Sequence, residues 1–303
     1  MLTFLRSPRT IDALLVAVAF IWGTSYGVVK GALLSYSVLG LLALRFGLTF
    51  VLLSPALGAL SRVRWRDRLG VLGAGVLLLG IFLAETFGVS LTRASNAAFL
   101  ISLCVVFTPL VEWAWLRRAP RALEWGAAGV SMAGAFLLTG GHFAAGAGDW
   151  LVVLAALLRA LTSCAVKRAM HAGAVPPLAV TAVQAGVVAV GCAALALTVA
   201  PAQWQPLPAW HGHAAFWWSV IWLVAGCTLF AFFVQNYAMS RSSPTRVALL
   251  MGSEPVFGAL FALVWLGERL TLAAWVGGLL IVAASVLALE RAPRTAARAS
   301  ASA

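Results

Sequence analysis

The sequence predicts an all-α polytopic membrane protein with ten transmembrane helices, built as two inverted five-helix repeats with both termini in the cytoplasm. Three observations lead to this prediction. The composition is too apolar for a soluble domain, and apolar segments of membrane-spanning length recur along the chain. The second half also repeats the first, with the basic pair Arg117 and Arg118 of the first copy replaced by Gly267 and Glu268 in the second.

The composition excludes an ordinary soluble fold. Of the 303 residues, 62% are hydrophobic and 10% are charged, and the mean hydropathy is +0.98. Soluble domains are about 45–50% apolar and about 25% charged. The net charge of +12 does not predict nucleic-acid binding, because the basic residues lie between apolar segments and form no patch among aromatic residues.

Ten apolar segments each approach the length of about 20 residues that a spanning helix needs. Turn residues or charges separate them, and the small, basic residues 292–303 are expected to be disordered. The predicted spans are 11–30, 37–58, 69–90, 95–116, 122–140, 149–167, 176–199, 215–238, 245–266 and 271–290.

The basic residues orient these spans. If both termini are cytoplasmic, sixteen Lys and Arg residues flank the spans on the inner side and three flank them on the outer side. An excess of this size on one side is typical of cytoplasmic loops. Arg45 and Arg159 remain, and both lie near the middle of a span.

A repeat relates the two halves of the chain. With a shift of 150 residues, residues 85–138 align without a gap on residues 235–288, and two Trp positions match within the aligned segment. A weaker echo joins TSYGVVK at 24–30 to TSCAVK at 162–167. Five helices per repeat require the second copy to enter the membrane from the opposite side. The predicted repeats are residues 1–140 and 141–291, and a site is expected near the midplane where they meet.

Several stretches resemble the EamA family of the drug/metabolite transporter superfamily. They are FIWGTSYGVVK, LALRF, SNAAFLISLCVVFTPLVEW and SEPVFGALFALVWLGERLTLAAWVGG, and the resemblance covers about residues 11–290. It implies ten helices, cytoplasmic termini, a cavity lined by the first, third, fourth, sixth, eighth and ninth spans, and no cofactor. Within the family the chain looks most similar to bacterial exporters of amino acids, including aromatic ones.

One departure from the family pattern bears on the fourth span. Where the family often has Ser-Pro, this chain has Cys104 and Val105, with Pro109 one turn later. The break expected in this span is therefore predicted to be shifted towards Pro109.

Glu254 and Pro255, near the middle of the ninth span, are the leading site candidates. A charge at that depth costs roughly 2.5–3.5 kcal/mol on insertion scales, so it should face a cavity or a partner. Pro255 cannot donate to the carbonyl of Met251, which makes Pro255, like Pro109, a candidate hinge. Two interpretations stay open, a polar cavity wall or a buried Glu–Arg pair beside a fixed kink.

Arg159 has three possible partners, a substrate carboxylate, Glu254 or Glu85. Arg45 is interpreted as snorkelling or packing in a peripheral helix. Mixed aromatic and small polar groups suit an amphipathic organic solute, although any one of them can be a core residue. The complete set of predicted substrate-binding or cavity residues is Trp22, Tyr26, Glu85, Asn96, Phe99, Ser102, Arg159, Ser163, Tyr237, Met251 and Glu254.

The function predicted from these features is export of aromatic or neutral amino acids, or similar metabolites, across a bacterial inner membrane by alternating access. The expected partners are a small-molecule substrate and the lipid bilayer, without nucleic acid, and a monomer suffices. Proton coupling through Glu254 or Glu85 and facilitated diffusion both stay open. Cationic drugs or nucleotide-linked sugars are alternative cargoes. An intramembrane enzyme is a distant alternative, because no HExxH pattern occurs and the histidines His142, His171, His211 and His213 lie in loops or at helix ends.

Overall fold

Helices form all the regular structure of residues 7–92, 94–140, 146–171, 175–265 and 269–289, which are the residues that the computed structural model describes. His142 and the expected tail, residues 292–303, lie outside the described residues. The helices are α1 (Pro8–Leu33), α2 (Val38–Leu53), α3 (Trp65–Leu91), α4 (Ala94–Ile101), α5 (Cys104–Leu116), α6 (Ala122–Thr139), α7 (Ala147–Ala169), α8 (Pro177–Thr198), α9 (Ala214–Trp222), α10 (Ala231–Arg241), α11 (Pro244–Met251), α12 (Glu254–Trp265) and α13 (Leu272–Leu289).

Three shorter segments complete the helical path. A 3-10 segment (Ser54–Arg62) extends α2, another (Pro201–Gln203) follows α8, and a π-helical segment (Leu223–Phe230) joins α9 to α10. The π segment makes α9 to α10 one continuous helix of 28 residues, Ala214–Arg241. A π turn holds an extra residue, and the gapless sequence repeat begins only after it, at Gln235.

Eight helical stretches in the described residues are long and apolar enough to cross a membrane. They are Arg9–Leu33, Val38–Arg62, Trp65–Leu91, Asn96–Leu116, Ala122–Thr139, Ala147–Ala169, Pro177–Thr198 and Ala214–Arg241, and Leu272–Leu287 is a shorter apolar helix. These segments agree with nine of the predicted spans within a few residues. The predicted ninth span, 245–266, is interrupted between α11 and α12.

Local residue chemistry explains where several helices begin and end. Ser37 precedes α2 and its hydroxyl accepts from the Gly40 N–H, and Ser243 does the same for Arg246 at the start of α11. Such caps satisfy backbone donors that have no partner in the first turn. Gly140 ends α6 with a φ of 73°, a conformation that glycine adopts at little cost.

Both interrupted helices break at equivalent positions. The turn at Ser102–Leu103 separates α4 from α5, and the turn at Gly252–Ser253 separates α11 from α12. The two turns are 150 residues apart, the same shift that aligns the two halves of the sequence. The prediction that the fourth-span break is displaced towards Pro109 is therefore wrong, because Pro109 is buried inside α5, beyond the turn.

The closest helix pairs join one half of the chain to the other. α6 packs against α13, α2 against α8, and α3 against α7, while α1 packs against α12. At the α6–α13 contact a Cβ on Gly134 would lie 2.6 Å from the Gly277 carbonyl oxygen. Small residues of this kind let membrane helices approach closely. Apolar side chains such as Val51, Val190, Val264 and Leu279 are exposed, as expected of a surface that faces lipid.

Candidate functional site

A cavity lies among α1, α2, α3, α7, α8 and α10, with Glu254 at the start of α12 also in its wall. About 980 Å³ of space between atoms, open solvent included, lies within this wall. The expected lining by the fourth span is wrong for the described residues, because α4 and α5 pack against α6 and α7. Residues of α2 and α8 line the cavity instead, among them Arg45 and Gln184.

The lining residues of α1 and α7 occupy equivalent positions. Each helix presents one face, since the spacing is i, i+3, i+4 and i+7. Trp22, Ser25, Tyr26 and Val29 line the cavity from α1, and Arg159, Thr162, Ser163 and Val166 line it from α7. Every member of the second set is 137 residues after its counterpart in the first.

The lining residues of α3 and α10 recur in the same way, here with a shift of 150 residues. Phe82, Glu85, Thr86 and Val89 line the cavity from α3, and Phe232, Gln235, Asn236 and Met239 line it from α10. The two halves of the chain therefore contribute matching faces to one cavity. Their charge differs at two positions, since Trp22 corresponds to Arg159 and Glu85 to Gln235.

Glu254 forms the centre of a charged group in the cavity wall. An Nη2 atom of Arg159 lies 3.3 Å from Oε2 of Glu254, and the Tyr26 hydroxyl donates to Oε1 at 2.7 Å. The Arg159 guanidinium also lies 4.8 Å from the centroid of the Trp22 ring. A carboxylate with an ion pair and a hydroxyl donor is stable away from water, and both earlier interpretations of Glu254 hold together: it faces the cavity and it pairs with an arginine.

The position of Glu254 explains its sequence partner Pro255. Glu254 is the first residue of α12 and Pro255 the second. The first backbone N–H groups of a helix have no intrahelical acceptor, so a proline there costs little, and a negative charge is favoured by the helix dipole. The prediction of a kink within a continuous helix is wrong, since Pro255 starts a new helix after a turn.

The π segment and Arg45 form another part of the wall. Trp22 Nε1 donates to the Cys227 carbonyl at 3.0 Å, and the Thr228 hydroxyl donates to the Leu223 carbonyl at 2.8 Å. Arg45 Nε donates to the Thr228 hydroxyl oxygen at 2.7 Å. The Arg45 guanidinium lies 5.1 Å from the ring centroids of both Phe46 and Phe82. Arg45 is 5% exposed, so the interpretation as a snorkelling residue is wrong. Arg45 packs inside the protein and lines the cavity.

Glu85 differs from the other charged residues of the cavity. It is half-buried in the cavity wall. Its carboxylate makes no hydrogen bond or ion pair with any residue that the structure describes, and the charges that act on it from farther away are those of Arg159, Glu254 and Arg45.

Six of the predicted cavity residues line this cavity, and the rest lie elsewhere. The six are Trp22, Tyr26, Glu85, Arg159, Ser163 and Glu254. Phe99 packs edge-to-face against Phe136 of α6. Ser102, in the turn after α4, donates its hydroxyl to the Ala98 carbonyl.

Tyr237, Met251 and Asn96 also lie outside the cavity wall. Tyr237 stacks on Phe233, with the Arg241 guanidinium 4.8 Å from its ring centroid. Met251 is 7% exposed and packs in the core at the end of α11. The sequence did not predict which side of these helices lines the cavity. An apolar residue gives no information on this, because lipid and protein core are both apolar.

Asn96 belongs to a polar cluster at one end of the molecule. Its Nδ2 donates to Oδ1 of Asp149 at 2.5 Å, and the Thr92 hydroxyl donates to the same oxygen at 2.7 Å. Asp149, in the first turn of α7, is 2% exposed. Lys30, near the end of α1, donates to the Thr92 carbonyl at 3.4 Å. We call the contact of Asp149 with Asn96 and Thr92 the α7 clasp.

An equivalent contact lies at the other end of the molecule. Asp12, in α1, pairs with Arg246 of α11 at 2.8 Å, and we call this contact the α1 clasp. Asp12 is 137 residues before Asp149, and Arg246 is 150 residues after Asn96. Asp12 and Lys30 are 18 residues apart in one helix, which at 1.5 Å per residue is about 27 Å. The two clasps therefore join equivalent helices at opposite ends.

Buried polar groups also support the end that carries the α1 clasp. Glu112 is 1% exposed and accepts from the Thr245 backbone N–H at 3.0 Å and from the Thr245 hydroxyl. Arg118 pairs with Glu112 at 3.1 Å and with Glu124 at 2.7 Å. Burial alone would lower the pKa of the Arg118 guanidinium, but the hydrogen bond to Glu124 and the nearby carboxylates raise the pKa above its ordinary value.

The predicted set of cavity residues left out several lining residues, chiefly Arg45, Thr162, Gln184, Gln235 and Asn236. A usable signal existed for three of them. The shift of 150 residues leads from Glu85 to Gln235 and from Thr86 to Asn236, and the neighbouring echo leads from α1 to the Thr162 region. Among the residues described, no group of His, Cys, Asp or Glu side chains is arranged to hold a metal ion.

Comparison with known proteins places this arrangement among membrane transporters. The profile of the EamA-like transporter family matches residues 9–140 and 146–289. A protein of Archaeoglobus fulgidus, described as an uncharacterized transporter, is 25% identical over 290 residues, covering 91% of this chain and 84% of that protein. A solved crystal structure matches with a TM-score of 0.75 at 20% identity, over 94% of this chain and all of the other, a likeness that concerns the fold alone.

Proposed function

We propose, because the chain belongs to the EamA-like transporter family, that this multi-pass membrane protein is a secondary transporter that exports aromatic or neutral amino acids, or similar small metabolites, by alternating access. The observation that carries the proposal is the cavity, to which α1 and α3 of one half and α7 and α10 of the other contribute equivalent faces. A site between two inverted repeats can be exposed to either side when one repeat rocks against the other.

The topology that supports this function has ten spans. The eight long apolar stretches are completed by the interrupted pair α11–α12 and by α13. Residues 1–140 and 141–291 form the two inverted repeats, and the excess of Lys and Arg on one side favours cytoplasmic termini in a bacterial inner membrane. One chain surrounds the cavity, so a monomer is sufficient.

The two clasps are the gates of the alternating-access cycle, one at each end of the cavity. The α7 clasp ties α7 to α4 at the outer end, and the α1 clasp ties α1 to α11 at the cytoplasmic end. Opening one while the other stays closed would expose the cavity to one side only. The turns between α4 and α5 and between α11 and α12 give the rocking movement a flexible point in each half, in place of the hinges expected at Pro109 and Pro255.

The cavity has the chemistry of a site for an amphipathic solute. Trp22, Phe82 and Phe232 supply aromatic surface, while Arg159 keeps N–H donors beyond the one directed at Glu254. Guanidinium groups have five such donors and match carboxylates well. An amino acid with an apolar side chain fits these features.

Transport into proteoliposomes tests the proposal. The purified protein should carry at least one labelled amino acid from an aromatic and neutral panel faster than protein-free liposomes. Absence of flux across the whole panel would remove amino acids as the substrate class, and the family assignment would stand.

Proton coupling would use Glu254 or Glu85 as the titrating group. Glu254→Gln keeps the side-chain volume and the Tyr26 contact but removes the charge that pairs with Arg159. If Glu254 carries the proton, the variant should lose the dependence of transport on pH. Transport by Glu254→Gln that matches the wild type at every pH would exclude Glu254 as the proton carrier.

Export of cationic drugs is the second candidate. It is favoured by the two cavity carboxylates, Glu85 and Glu254. Nucleotide-linked sugars receive no such support, because the same two carboxylates would repel their phosphate groups. A dye-efflux assay on vesicles that contain the protein would separate cationic drugs from amino acids.

A further inference from the structure

The four charged residues that line the cavity are not equally engaged. Arg159 and Glu254 form an ion pair at 3.3 Å, and Arg45 donates to Thr228 at 2.7 Å while lying over two phenylalanine rings. Glu85 is the fourth, and its carboxylate has no hydrogen-bond or ion-pair partner in the ranges that the structure describes. A carboxylate in an apolar span is costly and normally finds a partner.

The counterpart of Glu85 shows that packing does not require the charge. Gln235 lies 150 residues later, lines the same cavity from α10 and is half-buried like Glu85. Glutamine and glutamate have nearly the same shape, so an amide would fill the Glu85 position equally well. The difference between the two positions is a single negative charge that faces the cavity from one repeat only.

A second unpartnered polar group lies in the same wall. Thr162 is 7% exposed and lines the cavity from α7, one turn after Arg159. Its hydroxyl oxygen is buried and has no hydrogen-bond partner among the described residues. Buried hydroxyls usually have a partner, so this hydroxyl is a second polar group of the cavity wall whose hydrogen-bonding capacity is unused.

An ammonium group matches the Glu85 carboxylate. It has three N–H donors and no acceptor, so it can donate to the carboxylate and neutralise its charge. The ring of Phe232 in the same cavity wall is a favourable neighbour of a cation. A cargo whose only charge is negative would instead be repelled by Glu85.

We propose that Glu85 binds the protonated amino group of the cargo, so that the transporter selects organic molecules that carry a basic amine. The inference rests on the proposed transport function and narrows its substrate class. It includes amino acids and simple aromatic amines, and it excludes carboxylates that lack an amine.

Three probes of similar size separate the charges of the cargo: phenylalanine has both, phenethylamine has only the ammonium, and 3-phenylpropionate has only the carboxylate. Binding to the purified full-length protein in detergent is measured by isothermal calorimetry. The wild type should bind phenethylamine and phenylalanine more tightly than 3-phenylpropionate. Glu85→Gln should weaken binding of the two amines by roughly 10- to 100-fold, the range of a lost charge-assisted hydrogen bond, and should leave 3-phenylpropionate as weak as before or bind it better.

Asp67→Asn is the matched control. Asp67 lies in the first turn of the same helix, outside the cavity wall, so it changes the net charge equally and should leave all three affinities unchanged. Glu85→Asp keeps the charge and should keep the preference for amines. If Glu85→Gln does not fold, the wild-type preference and Glu85→Asp still decide.

Two results would overturn the inference: a wild type that binds 3-phenylpropionate as tightly as phenethylamine, or a folded Glu85→Gln that binds the amines with wild-type affinity. Failure of the proposed transport function would give a different result. Phenethylamine would still bind, and its affinity would still depend on Glu85, but no amino acid would bind or be transported.

Discussion

Removing Arg159 alone should destabilise the protein much more than removing Arg159 and Glu254 together. Two unit charges 3.3 Å apart attract by about 5 kcal/mol at an effective dielectric constant of about 20. Desolvation of both groups offsets much of this attraction, whereas loss of one partner leaves the other charge buried, at a cost of about 3–5 kcal/mol. The Tyr26 hydroxyl, 2.7 Å from Glu254, stays in place and reduces that cost.

We therefore expect Arg159→Met to lower the free energy of unfolding by about 3 kcal/mol, near the lower end of that range. The double variant Arg159→Met with Glu254→Gln should lose only about 1 kcal/mol, because no unpaired charge is left. Methionine is unbranched and can keep part of the packing on Trp22. Reversible unfolding by SDS in mixed micelles gives the free energies of unfolding of the wild type, Arg159→Met, Glu254→Gln and the double variant. The coupling energy between the two sites follows from these four values.

Arg241→Met is the matched control for this cycle. The Arg241 guanidinium lies 4.8 Å from the Tyr237 ring centroid, the same distance as Arg159 from Trp22, but Arg241 is exposed. Its loss should cost no more than about 1 kcal/mol. A double variant that loses as much as the two single variants added together would refute the view that Arg159 and Glu254 stabilise each other.

Two further predictions concern the packing of α6 on α13 and the clasps. Gly277→Ala should destabilise the protein by about 1–3 kcal/mol, because the added Cβ would lie 2.5 Å from the Leu138 backbone nitrogen. The control is Gly278→Ala, whose Cβ would have contacts only at 3.9 Å. Gly278→Ala should leave the free energy of unfolding in SDS unchanged. Asp12→Asn and Asp149→Asn should shift the protein in opposite directions, each by about fivefold in population for about 1 kcal/mol lost. The shift is measured with Ser163→Cys in a chain whose four native cysteines are replaced. A membrane-impermeant thiol reagent is added from one side of the membrane or the other, and the labelling rates are compared. A shift towards the same side in both variants would contradict the assignment of the clasps to opposite ends of the cavity.

The sequence predicted the helices well because membrane spans leave a strong signal. Long apolar runs and the position of Lys and Arg limited each span to within a few residues of the helices observed. The repeat shift of 150 residues recurs in both helix breaks and in the lining of α3 and α10. These features depend only on which residue types follow one another along the chain, so they can be read from the sequence without knowing the fold.

The helix breaks were harder to predict. Pro255 suggested a kink within a helix, but a proline is equally suited to the first turn of a new one. The turn at Ser102–Leu103 contains neither proline nor glycine, so no residue there announces it. The repeat shift applied to Glu254 leads to Cys104, the first residue of α5, which is also where the family pattern often has Ser-Pro.

The cavity was predicted in part for a physical reason. Charged or hydrogen-bonding residues within a span, such as Glu85, Arg159 and Glu254, must face inward, and all three do. Aromatic residues such as Phe99 are stable against lipid, core or cavity alike, so their type does not fix their direction. Arg45 was misinterpreted because a position in the second span looked peripheral, whereas α2 packs against α8 and the π segment and faces the cavity.

The most direct test of the account is counterflow of labelled phenylalanine into proteoliposomes, compared between a variant that fills the cavity and one that alters the lipid face. Ser163 lines the cavity, whereas Val190 is 68% exposed on the outer surface of α8. We predict saturable counterflow in the wild type, its loss in Ser163→Trp and its retention in Val190→Trp. Counterflow that survives in Ser163→Trp at the wild-type rate would contradict transport through this cavity.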